Sequence, residues 1–394
     1  MQGNGTMRTS DAFRRYILAG GAALALCATL GTAHARGFSV LYSFTGGSDG
    51  EFPDAGLIKD AAGNVYGTTE NGGANDLGTV FKIAPDGTET VLYSFTGSDG
   101  IYPEAGLIKD AAGNLYGTTL LGGQICDCGV VFRLAPDGTE TVLRSFGGTG
   151  DGRDPAAGLI KDKTGNLFGT TDFGGSAGEG TVFKLAPDGT ETMLWSFGGT
   201  GDGIYPEAGL IKDAAGNLYG TTLDGGVNDN GIVFKLTPRG AETVLHSFTG
   251  SDGSNPAAGL IADAAGNLYG TTEFGGANNG GVVFKVAPDG TETVLHSFAD
   301  NGSDGYYPMD GLIKDETGNL YGTTYSGGAK HHGIVFKLAP DGTETVLHAF
   351  SRGRGGGRPT AGLIRDAAGN LYGTTSSGGV GPCNKGCGTV FKLQ

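Results

Sequence analysis

Four carboxylates recur near prolines along this chain of 394 residues, at intervals of 50, 103 and 103: Asp54, Glu104, Glu207 and Asp310. They enter apolar stretches that begin Gly-Leu-Ile, whereas the third, fifth and seventh equivalents carry Ala or Thr. Carboxylates gathered around one point repel one another unless a cation or shared protons intervene. An oxygen-rich mouth of this kind suits Ca2+, so the four acids are candidate metal ligands; the competing reading has them splayed into water. Phe52, Tyr102, Tyr205, Tyr306 and Tyr307 flank the same prolines. Rings around a cavity grip sugars and peptides through flat apolar contact, and packing beneath the loops is the rival reading. The seventh loop, SRGRGGGRP, replaces the acid with Arg352, Arg354 and Arg358. This basic patch could dock a carboxylated ligand or be plain solvated charge. Arg354 and Arg358 join the aromatic residues as candidate binding groups.

Other residue types point to structure. His246, His296 and His348 occupy one position of a repeated segment where other copies carry Tyr42, Tyr93, Arg144 and Trp195. A place that accepts all of these is an amphipathic position on an outer strand, not a catalytic ring. His331 and His332 read as surface decoration. The acids of the repeated SDG and GDG triplets read as turn formers, and their spacing does not match a calcium-binding DxDxDG loop. No Ser-His-Asp, HExxH or phosphate-loop pattern is present.

The elements that must position these groups follow from a repeat. GLIKDAAGNLYGTT stands at 106–119 and again at 209–222, and the Gly-Leu-Ile starts are spaced 50, 52, 51, 50, 52 and 51 residues apart. Periods of this length denote propellers, solenoids or arrays. Each unit holds four short β-type runs, which in the second unit lie near 105–110, 114–119, 129–136 and 139–146; four strands is the content of one propeller blade. The sequence therefore predicts an all-β, seven-bladed propeller with four antiparallel strands per blade. First strands begin near 55, 105, 157, 208, 258, 310 and 361. The chain ends after a third strand, and 38–44 is a fourth strand with no unit before it. The N-terminal strand is thus expected to complete the last blade. DAAGN and APDG form tight turns on one face. The longer GG…G and GSDGxxP loops vary and belong to the other face, where binding usually sits.

Residues 1–35 are a different object: Arg8, Arg14 and Arg15 precede an apolar stretch that ends Ala33-His34-Ala35. This reads as a secretory signal peptide, with no transmembrane segment after cleavage and a single propeller domain over 36–394. Loss of 1–35 removes three arginines and one aspartate and moves the net charge from −15 to −17. Such a field repels phosphate backbones and anionic lipid, so nucleic acid is not an expected partner. Export favours disulfides. Cys126 and Cys128 lie in the second unit, Cys383 and Cys387 in the seventh, and blade 1 separates the two. Cross-pairing and a four-cysteine zinc site are therefore excluded on distance. Cys383–Cys387 is expected as a local staple, whereas Cys126–Cys128 is either oxidised or a reactive pair.

The combined pattern GNLYGTT…GG…GTVFKLAPDGTETVLYSF resembles the bacterial Gloeo/Verruco tandem repeat, found in exported propeller-like proteins, over 38–394. The phase P-x-A-G-L-I-x-D-x-x-G-N-L-Y is also similar to NHL and gluconolactonase-type propellers. The resemblance implies a propeller and export, with no assigned activity; lactonase-type propellers hold a central metal. The double glycines are similar to kelch repeats, but the regular Trp of kelch is missing, Trp195 being the single one. Two readings of function follow. One is a secreted or periplasmic, monomeric, non-catalytic propeller that binds an envelope or extracellular glycan or protein through its variable loops. The other is a metal-assisted hydrolase or lyase acting on a lactone or polysaccharide at the channel mouth.

Overall fold

A computed structural model describes residues 37–394; the segment read as a signal peptide lies outside them. Seven four-stranded antiparallel sheets follow one another along the chain. In blade 1 the strands are Ile58–Lys59, Val65–Thr69, Thr79–Ile83 and Glu89–Ser94. Blade 7 is built from Ile364–Arg365, Leu371–Thr375 and Thr389–Leu393, and Phe38–Ser43 pairs antiparallel with the last of these. The seven-bladed propeller closed by its N-terminal strand is therefore what forms.

The innermost strands are shorter than the sequence suggests, two residues in each blade. The Ala-Gly step before each of them, Asp310-Gly311 in blade 6, leaves the ladder to face the neighbouring blade. There its carbonyl accepts a hydroxyl proton from that blade's second strand: Thr68 donates to Ala105 at 3.3 Å and Thr118 to Ala157 at 2.9 Å. The same bond recurs around the ring and closes with Thr374 donating to Ala55 at 3.4 Å. The glycines that follow crowd the axis, so that a Cβ on Gly106 would lie 3.3 Å from the Gly56 carbonyl oxygen.

Second and third strands are buried almost throughout, whereas fourth strands are half-buried because they form the circumference. Blades join through phenylalanine pairs. Phe95 meets Phe132 edge-on at 5.2 Å, and Phe44 meets Phe81 at 5.1 Å across the junction between blades 7 and 1. Each inner Phe lies over the glycine of GTT; a Cβ on Gly67 would come 2.7 Å from the Phe81 ring.

The tight turns share a face stitched by charge. Asp60 accepts from the Asn64 backbone and side-chain N–H and from the Tyr66 hydroxyl, each at 2.9 Å. Lys109 of the next blade reaches Asp60 at 3.7 Å and stands 4.2 Å above the Tyr66 ring. Equivalent lysines at 59, 161, 212 and 314 repeat this bridge, and Ala262 interrupts it.

Candidate functional site

The two variable loops of each unit are zipped to one another. Ile101 pairs with Leu121, Gly152–Arg153 with Phe173–Gly174, and Gly357 with Ser377, so both loop types stand on the face opposite the tight turns. The residue before each loop proline is left-handed although it is not glycine: φ is 55° at Phe52, 57° at Tyr102, 58° at Tyr205, 60° at Tyr307 and 55° at Arg358. Its amide is tied to the end of the preceding blade's loop, as where Tyr102 donates to the Leu77 carbonyl at 3.1 Å. Non-glycine residues adopt this conformation at a cost, and such residues cluster where a side chain must be aimed. Tyr306 packs against the core between blades 5 and 6, and Tyr205 and Tyr307 meet the rings of Phe173 and Phe274, each at 5.1 Å.

These loops surround a cavity of about 180 Å³ on the axis, lined by Asp54, Glu104, Glu207, Asp310, Met309 and Thr360 above the Ala-Gly steps. Its wall is almost entirely polar. Larger clefts of about 330 and 340 Å³ lie between blades on the tight-turn face. They recur at equivalent places and follow from the repeat, whereas the mouth is where the units differ.

All four predicted acids reach the mouth, but not in one role. Met309 takes the place directly after Pro308, and Asp310 stands one residue further, where the other units have Ala. Both of its oxygens accept backbone N–H groups, from Gly311 and from Gly362. Asp310 is thus a strut between blades 6 and 7. Asp54 is pushed up to about 6 by burial, although the Thr360 hydroxyl, 2.9 Å from Oδ1, favours its anion. Glu104 is pushed up to about 7 by burial and then by Glu70, Asp54 and Glu207. Burial, followed by Glu273 and Asp224, also raises Glu207.

A second set of acids went unrecognised in the sequence. Glu70, Asp172 and Glu273 occupy the residue after GTT in units 1, 3 and 5. The signal was available, because this is the first of two residues that vary after an otherwise uniform run. Asp172 is only 7 % exposed and its Oδ1 has no hydrogen-bond partner. Burial, then Glu207, Asp154 and Glu104, raises it to about 8. The residues fit a single directly bound ion poorly. Among the described residues, ligand atoms come together in threes within 4.8 Å at Glu51–Cys383–Cys387 and at His246–Asp252–Glu292, and not among the mouth acids. The mouth offers hydroxyl-rich ligands carboxyls whose protons are held up to about 6 at Asp54 and about 7 at Glu104.

On the rim, the repeated histidine position and the SDG acids prove to be partners. Tyr42 donates to Asp49 at 2.9 Å and Trp195 to Asp202 at 3.2 Å; His246 stands 3.0 Å from Asp252 and His296 3.3 Å from Asp304. His348 has no such acid and stacks on Phe38 at 3.9 Å. Both cysteine pairs are disulfides, Cys383–Cys387 and Cys126–Cys128, each within one loop.

Fold and site together define a seven-bladed β-propeller with one polar, acid-lined mouth on its variable-loop face. The chain belongs to the Gloeobacter/Verrucomicrobia repeat family, whose profile matches 29–220 and 208–394. No curated protein matches it. Among solved structures it is similar to the extracellular domain of a putative hybrid two-component system from B. thetaiotaomicron, with TM-score 0.56 and 12% identity over 90% of this chain. The chain spans 40% of that protein's length. A putative 6-phosphogluconolactonase from Bacteroides uniformis gives TM-score 0.50 and 17% identity over 79% of this chain and 88% of its own. A gluconolactonase from Xanthomonas campestris gives 0.45 and 16% over 91% and 89%. At these identities the likeness is one of fold. No helix among the described residues is long and apolar enough to cross a membrane.

Proposed function

We propose that this is an exported propeller that binds a glycan at its axial mouth, without catalysing a reaction. One observation carries the reading: Phe52, Tyr102 and Tyr205 stand two residues before Asp54, Glu104 and Glu207, which line an almost wholly polar cavity, and share with Tyr307 the left-handed conformation of that loop position, although the rings themselves do not line the cavity. Flat rings set by a rigid scaffold supply apolar contact to sugar faces. Partly protonated carboxyls both donate to and accept from sugar hydroxyls. A protein ligand would present a larger and more apolar anchor than this cavity takes.

The test is a glycan and peptide array probed with residues 36–394. A glycan hit should weaken at least tenfold in Tyr102→Ala and Tyr205→Ala, and stay unchanged in Asp137→Ser on the opposite face. A peptide hit alone, or a glycan hit indifferent to both tyrosines, contradicts the proposal.

Asp172 favours a second reading, hydrolysis of a lactone or polysaccharide at the same mouth. A buried carboxyl raised to about 8 is protonated at neutral pH and suited to general acid catalysis. Turnover of a panel of lactones and polysaccharides, lost in Asp172→Asn with folding intact, would establish it; absence of turnover removes it.

A further inference from the structure

We propose that the junction of blades 6 and 7 is an oxyanion site, formed by Arg352, Arg358 and His332, that takes the carboxylate of an acidic sugar. This rests on the glycan reading above and names the class of glycan. Six inter-blade loops carry an aspartate at 49, 99, 151, 202, 252 or 304; the seventh carries Arg352 and Arg354 and no acid. Among the described residues Arg144 and Arg365 have acidic partners, and Arg133, Arg153 and Arg239 stand singly in other units. No ion pair joins Arg352, Arg354 or Arg358 to an acid among the described residues, in a chain of net charge −15.

Arg358 is fixed in place. Its backbone N–H donates to the His332 carbonyl at 2.7 Å, and its guanidinium donates to the Tyr325 hydroxyl at 2.9 Å while lying 5.1 Å from that ring. Tyr325 holds the position that Glu70, Asp172 and Glu273 hold in other blades, so an acid is replaced here by an arginine support. Arg352 and His332 flank Gly357, where an added Cβ would lie 3.3 Å from the Arg352 Cα and 3.3 Å from the His332 Cβ. The His332 Nδ1 is buried without a hydrogen-bond partner. The imidazole is held below its usual range by burial and by Arg352, Arg358 and His331; His331 itself faces Asp300 at 3.4 Å on the exposed side. Cations converge here with no counter-charge, and an arginine fork matches a planar carboxylate. Thr360, two residues after Arg358, lines the axial cavity together with Asp54, Glu104 and Glu207, and these acids disfavour a second anion there.

Trigalacturonate and its methyl ester, titrated calorimetrically into residues 36–394, test the assignment beside an NMR titration of the His332 ring with acetate, phosphate and chloride. Expected are at least tenfold tighter binding of the acid than of the ester, loss of that preference in Arg352→Gln/Arg358→Gln, and partial loss in Arg358→Lys. Acetate should raise the His332 pKa and chloride should not. Equal binding of acid and ester, with His332 unmoved by acetate, overturns the site and leaves the glycan reading intact. An acetate response without any glycan binding supports a carboxylate site at this junction but removes the glycan reading and, with it, the acidic-sugar assignment. A response to phosphate but not to acetate overturns the carboxylate assignment.

Discussion

Thr374 donates its hydroxyl proton to the carbonyl of Ala55 at 3.4 Å, across 319 residues of chain. It is the seventh copy of a bond that every blade makes to the next, and it joins the last blade to the first. The adjoining Phe44–Phe81 contact does the same for the core, with the N-terminal strand supplying Phe44. Phe44 is fully buried. Phe44→Ala should cost about 3–5 kcal/mol, and removal of 37–45 should abolish the cooperative calorimetric transition. A truncated chain that melts like the full one contradicts ring closure.

Stability should fall as pH rises through neutrality. Burial, helped by Asp49, Asp99, Asp202 and Asp252 in turn, pushes Glu89, Glu140, Glu242 and Glu292 up to about 7. Their unfolded value is near 4.3, so the folded chain binds more protons between roughly pH 4.3 and 7, and stability declines as they ionise. Asp60 acts oppositely. Burial opposes its ionisation, but hydrogen bonds from Asn64 and Tyr66 outweigh that and hold it at about 2. Its contribution is complete above about pH 4 and lost below. The melting temperature should peak near pH 5 and be lower at pH 8, with a shallower decline in Glu292→Gln. A higher value at pH 8 refutes this account of the rim glutamates.

Ala262 leaves Asp213 and Tyr219 without the cation that the neighbouring blade supplies at most other junctions. Ala262→Lys should add about 0.5–1 kcal/mol from ion pairing and cation–π contact. Lys109→Ala should remove a similar amount. Urea unfolding measures both, and a destabilised Ala262→Lys variant argues against the stitching role.

The Cys383–Cys387 bridge spans few residues, so its loss should cost about 2 kcal/mol. Its place gives it a local effect as well, because the Cys387 carbonyl accepts the Phe52 amide at 3.0 Å. Cys383→Ser should lower stability modestly and increase amide exchange at Phe52. An unchanged exchange rate at Phe52 disconnects the bridge from the mouth.

The repeat made the propeller, the closing strand and the face that carries the variable loops legible, because turn chemistry and period are local properties of the chain. The mouth was only partly so. Asp54, Glu104 and Glu207 were readable from the prolines, but Asp310 is displaced by one residue, and that step leaves it lining the mouth with both oxygens taken by the Gly311 and Gly362 amides. The rim pairs were visible as two separate patterns. Tyr42 and Asp49 are joined only when the intervening loop folds back. His332 looked like decoration because nothing local shows that its Nδ1 is buried beside Arg352 and Arg358.

The central claim is that the axial mouth is the binding surface. Hydrogen–deuterium exchange of residues 36–394, with and without the tightest array hit, tests it most directly. Protection is expected in 51–54, 102–104 and 205–207, with the APDG turns at 84–87 and 135–138 unchanged. Protection centred on those turns, or on the outer strands alone, contradicts it.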